Sequence, residues 1–284
     1  MMLKKYWWRS FKDKLVVGLA AGATVVVLLP LGAIFGYLVY RGIGSLNWNF
    51  LTQIPKPPGE TGGGMANAIA GSGLILLIAS LIGVPMGIGT GVYLAEFGKK
   101  RFGYLIRFTA DVLNGVPSIV IGIVAYSLVV IYQKHFSALA GGVALGIMMV
   151  PIISRATEEM LLMVPQSLRE AAWGLGIPQW RTTLSITLRT ASSGIITAVM
   201  LSFARVAGET APLLFTAFGN MYWSRSINQP TAALPLQIFN YAISPFDDEH
   251  RQAWAGALIL IVLIVVSMSL VRMVASRGVF KGGN

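Results

Sequence analysis

Apolar residues fill this chain in six long runs, and the length of those runs decides what kind of protein it is. They fall at about residues 15–40, 68–97, 108–132, 139–162, 192–218 and 253–274. A helix rises 1.5 Å per residue, so a run of this length can cross an apolar layer about 30 Å thick. The fold predicted is an all-α membrane protein with six transmembrane helices. The first run is too long for the apolar core of a cleaved leader and lacks a small-residue cleavage site, so it reads as a retained anchor. Ahead of it, residues 1–14 form a basic segment in which Lys4, Lys5, Arg9, Lys12 and Lys14 accompany Trp7 and Trp8. Residues 15–284 read as one transmembrane domain.

The runs differ in their internal pattern. Gly83, Gly87 and Gly91 recur every four residues in the second, a small-residue face that lets another helix pack close, and Pro85 predicts a kink. The third is interrupted by Asn114-Gly115-Val116-Pro117. Residues 118–132 are too short to cross by themselves, so the break is expected within the span or at its inner edge. Residues 41–67, with Pro55, Pro57, Pro58 and Gly62 to Gly64, carry little periodic signal and read as an outside loop. A second outside stretch before the last run holds Pro230, Pro235, Pro245 and the acidic Asp247-Asp248-Glu249.

Composition agrees with a bilayer. Only 12% of the 284 residues are charged against about 25% in soluble domains, and mean hydropathy is +0.69. The net charge of +11 invites a nucleic-acid partner, but the basic residues sit in short clusters beside apolar runs, which is how orientation in a membrane is encoded. Those clusters lie in 1–14, in 98–107 (Lys99, Lys100, Arg101, Arg107), in 163–191 (Arg169, Arg181, Arg189) and at the end (Arg272, Arg277, Lys281). Arg41, Lys56, Lys134, Arg225 and Arg251 stand on the other side. Both termini are therefore expected in the cytoplasm of a multi-pass protein, with the 163–191 loop beside them. Absence of cysteine excludes disulfides and thiolate chemistry. No phosphate-binding glycine loop is present: Gly98-Lys99-Lys100 has Tyr93 where the first glycine should stand. His135 and His250 lack metal-ligand spacing.

The ionisable residues inside the fifth run carry the most information. Arg at a helix centre costs about 2.5–3.5 kcal/mol on insertion scales, so such a residue normally faces protein or a wet cavity. In a continuous helix Arg205 and Glu209 share a face, with Ser202 and Pro212 near it, and Pro212 frees the carbonyl of Gly208. Two readings stand: a substrate-pathway site, or a structural ion pair locking two helices. Asp111 and Asn114 precede the break at Gly115 and Pro117, where restarting backbone N–H groups attract an anion or the chain simply kinks for packing. Arg155 with Glu158 and Glu159 reads as a cytoplasmic gate or as a solvated pair at a helix end.

Between the fourth and fifth runs lies Glu170-Ala171-Ala172-Trp173-Gly174-Leu175-Gly176, extended by Ile186 and Leu188. Pro165 suits a first helical turn, Gly174 and Gly176 a stop, and Pro178 a second start. Leu168, Ala172 and Leu175 fall on one helical face, and Ala171 and Ala172 are small enough for another surface to approach. This E-A-A-x3-G-x9-I-x-L stretch resembles the coupling loop of permease subunits in binding-protein-dependent ABC importers, except that Arg189 stands where that family has Pro. Together with Arg205-x-x-Gly208-Glu209-Thr210-Ala211-Pro212, Gly115-Val116-Pro117-Ser118-Ile119-Val120 and Leu234-Pro235-Leu236-Gln237-Ile238-Phe239, it is similar to the phosphate-specific permeases of that family, favouring their A-type subunit.

The resemblance implies a type I importer permease fold in a bacterial inner membrane and transport of inorganic phosphate. It implies a substrate pathway at Arg205, Glu209, Thr210 and Ser202, a helix break near it at Asn114, Gly115 and Pro117, and coupling to an ATPase through Glu170, Ala171, Ala172 and Gly176. The partners implied are a C-type permease, two ATPase subunits, an extracytoplasmic phosphate-binding protein and membrane lipid, with no nucleic acid. This chain binds no cofactor in that scheme; ATP and Mg sit on the ATPase. Permeases for sulfate or molybdate are the nearest alternative, and an ion-coupled secondary transporter a more distant one.

Overall fold

A computed structural model describes the backbone of residues 2–98 and 100–280 and the side chains of Trp8, 11–98 and 100–273. The side chains of Lys4, Lys5, Trp7, Arg9, Lys99, Arg277 and Lys281, named among the basic clusters, lie outside it. Helix α1 (Met2–Gly42) leads through a short 3-10 turn to α2 (Trp48–Thr52) and the long α3 (Ala66–Phe97). Next comes α4 (Arg101–Gly115), then α5 (Ser118–Ala125), which passes through a π-helical stretch into α6 (Ile131–Gln133). After α7 (Ala138–Leu162) the chain forms α8 (Gln166–Gly174) and α9 (Gln179–Thr182). A second π-helical stretch leads to α10 (Leu188–Ala207), followed by α11 (Ala211–Leu214), α12 (Leu234–Ala242) and α13 (Asp247–Phe280).

Among the described residues five helices are long and apolar enough to cross a membrane, and α4 with α5–α6 makes a sixth if the bent pair counts as one. The third run is thus not a straight span: the chain turns through 109° at the predicted break. Pro117 disfavours the helical region for the residue before it, and Val116 is accordingly extended at φ −70°, ψ 133°. The fifth run is displaced as well. Its helical stretch starts at Gln179 and stops at Ala207, well short of residue 218. Residues 2–14 continue into the first span as a single helix.

The bundle is built on α3 against α7. A Cβ added at Gly83, Gly87 or Gly91 would lie 2.7, 2.7 or 2.5 Å from the Cβ of Met149, Ile153 or Thr157, so the backbones approach as the four-residue glycine repeat requires. Ile75, Ala79, Leu145, Met149 and Ile153 are buried along this seam and join Val206, Leu213 and Leu236 in one core. Gly87→Leu is expected to prevent folding of the bundle, because overpacking costs about 1–3 kcal/mol even where neighbours can shift. Gly89→Leu, two residues on, meets open space and serves as the control. The yield of monodisperse protein in detergent distinguishes the two.

The stretches without periodicity are also ordered. Asn47 caps α2 by accepting from the Phe50 N–H at 2.8 Å, and Phe50 and Met65 are buried against Ala232, Leu234 and Tyr241. The Gly62 N–H donates to Asp248 at 3.1 Å, tying this loop to the start of α13. The L-P-L-Q segment begins α12, and its Leu234 N–H donates to Ser72 Oγ in α3 at 2.7 Å. Among the described side chains of α1 packing is found towards its end, where Tyr37 meets Trp254 edge-on at 5.2 Å, while the apolar window of its span has no buried residue.

Candidate functional site

The helix carrying Arg205 ends two residues later. The Gly208 and Glu209 N–H groups donate to Arg205 and Val206 carbonyls at 3.3 and 3.2 Å, a tightened i→i−3 turn that closes α10. Glu209 and Thr210 then run outside any helix, and Pro212 sits in the first turn of α11, where its missing N–H costs nothing. The i,i+4 relation expected for Arg205 and Glu209 is therefore lost, and among the described residues neither belongs to an ion pair. Arg205 is exposed, while Glu209 and Thr210 are half-buried. Ser202 is fully buried, and its hydroxyl has no hydrogen-bond partner.

Two broken segments meet here. A Cβ on Gly122 in the middle of α5 would lie 2.7 Å from Pro212 Cα, so α5 packs directly on the chain that follows Glu209. Asn114, Gly115 and Pro117, just before α5, are exposed. Ser193, Thr197, Leu201 and Arg205, spaced four apart along α10, form an exposed stripe with three polar members. Polar side chains on a membrane helix face protein or water rather than lipid. The arrangement is an exposed, partly polar stripe along α10 with one guanidinium near the end of the helix. At a helix C-terminus a cation also complements the macrodipole, which explains how Arg205 is tolerated there.

Below the bundle, α8 carries the Glu170 loop. Leu175 caps it and Gly176 follows at φ +77°, with the Ile177 N–H on the Ala172 carbonyl at 3.1 Å and the Gly176 N–H on Trp173 at 2.9 Å. This is a Schellman ending, which requires the left-handed conformation glycine adopts freely. The face expected at Leu168, Ala172 and Leu175 is split: Ala172 is buried, Leu168 and Leu175 exposed. Its buried partner is Arg169, three residues away. Glu170, Ala171, Trp173 and Gly176 are exposed.

Residues 87–278 match the profile of a family described as the binding-protein-dependent transport system inner membrane component. The chain belongs to that family. The phosphate transport system permease protein PstA of Yersinia pestis is 44% identical to it over 275 residues, 96% of this chain and 93% of that protein. PstA of Haemophilus influenzae is 45% identical over 94% of each. Among solved structures, the MetNI methionine ABC transporter in an inward-facing form superposes with a TM-score of 0.55 at 15% identity, covering 88% of this chain and 98% of that one. At that identity the likeness speaks for the fold, which is that of a type I ABC importer permease.

Sequence reasoning named Arg107, Asp111, Arg155, Glu158 and Arg169 but missed Glu96 and the pairings that tie this permease together at the end where α8 lies. Glu158 is not a solvated partner of Arg155 but is 3% exposed, shared between Arg107 at 2.6 Å and Arg155 at 2.8 Å. Arg155 also reaches Asp111 at 3.1 Å. Arg107 donates to the Gly98 and Leu94 carbonyls at 2.7 and 3.0 Å, pinning α4 to the end of α3. Arg169 pairs with Glu96 and donates to the Leu161 carbonyl at 2.8 Å. The one available signal was a glutamate closing an apolar run at Glu96, with a basic residue directly before Glu170.

Proposed function

We propose that this permease is the A-type transmembrane subunit of an ATP-driven importer for inorganic phosphate. It forms half of the translocation pathway beside a C-type permease, receives phosphate from an extracytoplasmic binding protein, and couples to two ATPase subunits through the exposed face of α8. ATP and Mg are held by the ATPase, and both termini lie in the cytoplasm of a bacterial inner-membrane protein. The observation that carries the substrate is identity of 44–45% along nearly the whole chain to permeases named for phosphate transport. An exposed guanidinium beside two chain breaks supports the same reading. Arg offers two parallel donors to phosphate oxygens, replacing hydration that an apolar channel removes.

In this scheme the chain does no covalent chemistry. ATP closes the ATPase pair, α8 moves with it, and the two permeases exchange outward and inward openings. The test is uptake of labelled phosphate by the reconstituted complex with and without ATP, using excess sulfate as competitor. ATP-dependent phosphate uptake unaffected by sulfate is expected. Sulfate uptake in its place would assign a different oxyanion, and gradient-driven uptake by this chain alone would remove the importer reading.

A further inference from the structure

Charged side chains buried at the end of a helical bundle are costly: replacing a buried ion pair by apolar residues is often neutral or stabilising. Glu96 is costly twice over, because its carboxylate lies in the last turn of α3, where the helix macrodipole is negative. Its side chain is only 4% exposed, and that of its partner Arg169 10%. We infer that the Glu96–Arg169 pair is the rigid link that carries movement of α8 into the transmembrane bundle, an inference that rests on the importer reading above.

Geometry supports the assignment. Of the residues of α8, only Arg169 and Ala172 are buried, and both side-chain hydrogen bonds that leave α8 come from Arg169. One guanidinium thereby grips α3 through Glu96 and α7 through the Leu161 carbonyl. Those two helices are locked together by the close approaches at Gly83, Gly87 and Gly91, so a displacement delivered to either is delivered to both. Arg107 completes the frame by joining the end of α3 to Glu158 of α7. A planar guanidinium held by a carboxylate and a carbonyl fixes direction as well as distance, which apolar contact between Ala172 and its neighbours does not. Glu96 and Arg169 are thus positioning residues for coupling, separate from the face of α8 offered to the ATPase.

The test uses the complete reconstituted complex with spin labels at Phe97→Cys and Gln166→Cys; both side chains are exposed, and Gln166, three residues before Arg169, lies at the edge of α8 away from the centre of the face offered to the ATPase. With the native pair, the distance between the labels is expected to stay narrow and unchanged when ATP is added. In Glu96→Gln it should broaden or shift by several ångströms, phosphate moved per ATP hydrolysed should fall about tenfold, and the yield of complex should hold. Exchanging the charges, as Glu96→Arg with Arg169→Glu, restores the ion pair to α3 but leaves no donor for the Leu161 carbonyl, so partial recovery of both readouts is expected. An unchanged distance and coupling ratio in Glu96→Gln, or a loss of uptake that merely follows loss of complex, would overturn the inference. A native complex that hydrolyses ATP without moving phosphate would refute the phosphate reading alone, since the label distance still judges the pair.

Discussion

Arg205→Ala is expected to lower phosphate uptake by about 100-fold while the protein still inserts and assembles. A hydrogen bond to a charged group contributes about 1.5–3 kcal/mol, and a bidentate contact lies at the upper end, where about 3 kcal/mol corresponds to roughly two orders of magnitude. Arg205→Lys keeps the charge but not the planar fork, so partial uptake is expected. The structural alternative predicts otherwise. Were Arg205 chiefly a lock between helices, its loss would lower the amount of complex in step with transport. Were it chiefly paired with Glu209, the exchange Arg205→Glu with Glu209→Arg would restore function. The end of α10 at Ala207 separates the two side chains, and Arg205 is exposed without an ion-pair partner among the described residues. The exchanged variant is therefore expected to remain inactive. Uptake and complex yield measured together decide between the readings, and normal transport by the exchanged pair would remove the anion contact.

Some of this molecule is written locally in the sequence and some is not. Lipid demands a continuous apolar segment, so α3 and α7 are found almost where the runs at 68–97 and 139–162 put them. That a helix packs closely on α3 is equally legible, because small residues at four-residue spacing allow backbones so close, but the sequence does not say that this helix is α7. The break before Pro117 is visible for the same local reason, but its 109° turn is not, since the direction of α4 depends on Arg107 reaching α3 and α7. The stop at Ala207 is hidden inside an apolar run that would tolerate a continuing helix. Order in residues 41–67 depends on contacts from Gly62 to Asp248, 186 positions away, and the link beneath the bundle joins Glu96 to Arg169 across 73. Pairings over such separations leave no periodic trace in a single chain.

The coupling loop permits a sharper test because adjacent alanines have opposite environments. Ala172 is 3% exposed against the bundle, whereas Ala171 is exposed beside Glu170. Ala172→Arg buries a charge and overfills a packed site, so the permease itself should be lost from the membrane fraction. Ala171→Arg leaves the fold intact and places a long cation where a partner surface would approach. Disrupting a central interface contact costs about 2 kcal/mol or more, equivalent to roughly 30-fold weaker association. The ATPase should therefore fail to co-purify with Ala171→Arg although the permease is recovered in normal amount. Bulk at Gly176 is the less informative change, because its φ of +77° alone penalises any side chain by about 1–2 kcal/mol. That strain would unwind the end of α8 whether or not a partner docks there. Ala171→Arg separates the two effects, and full ATPase recovery with normal transport in that variant would reduce α8 to a connector between spans.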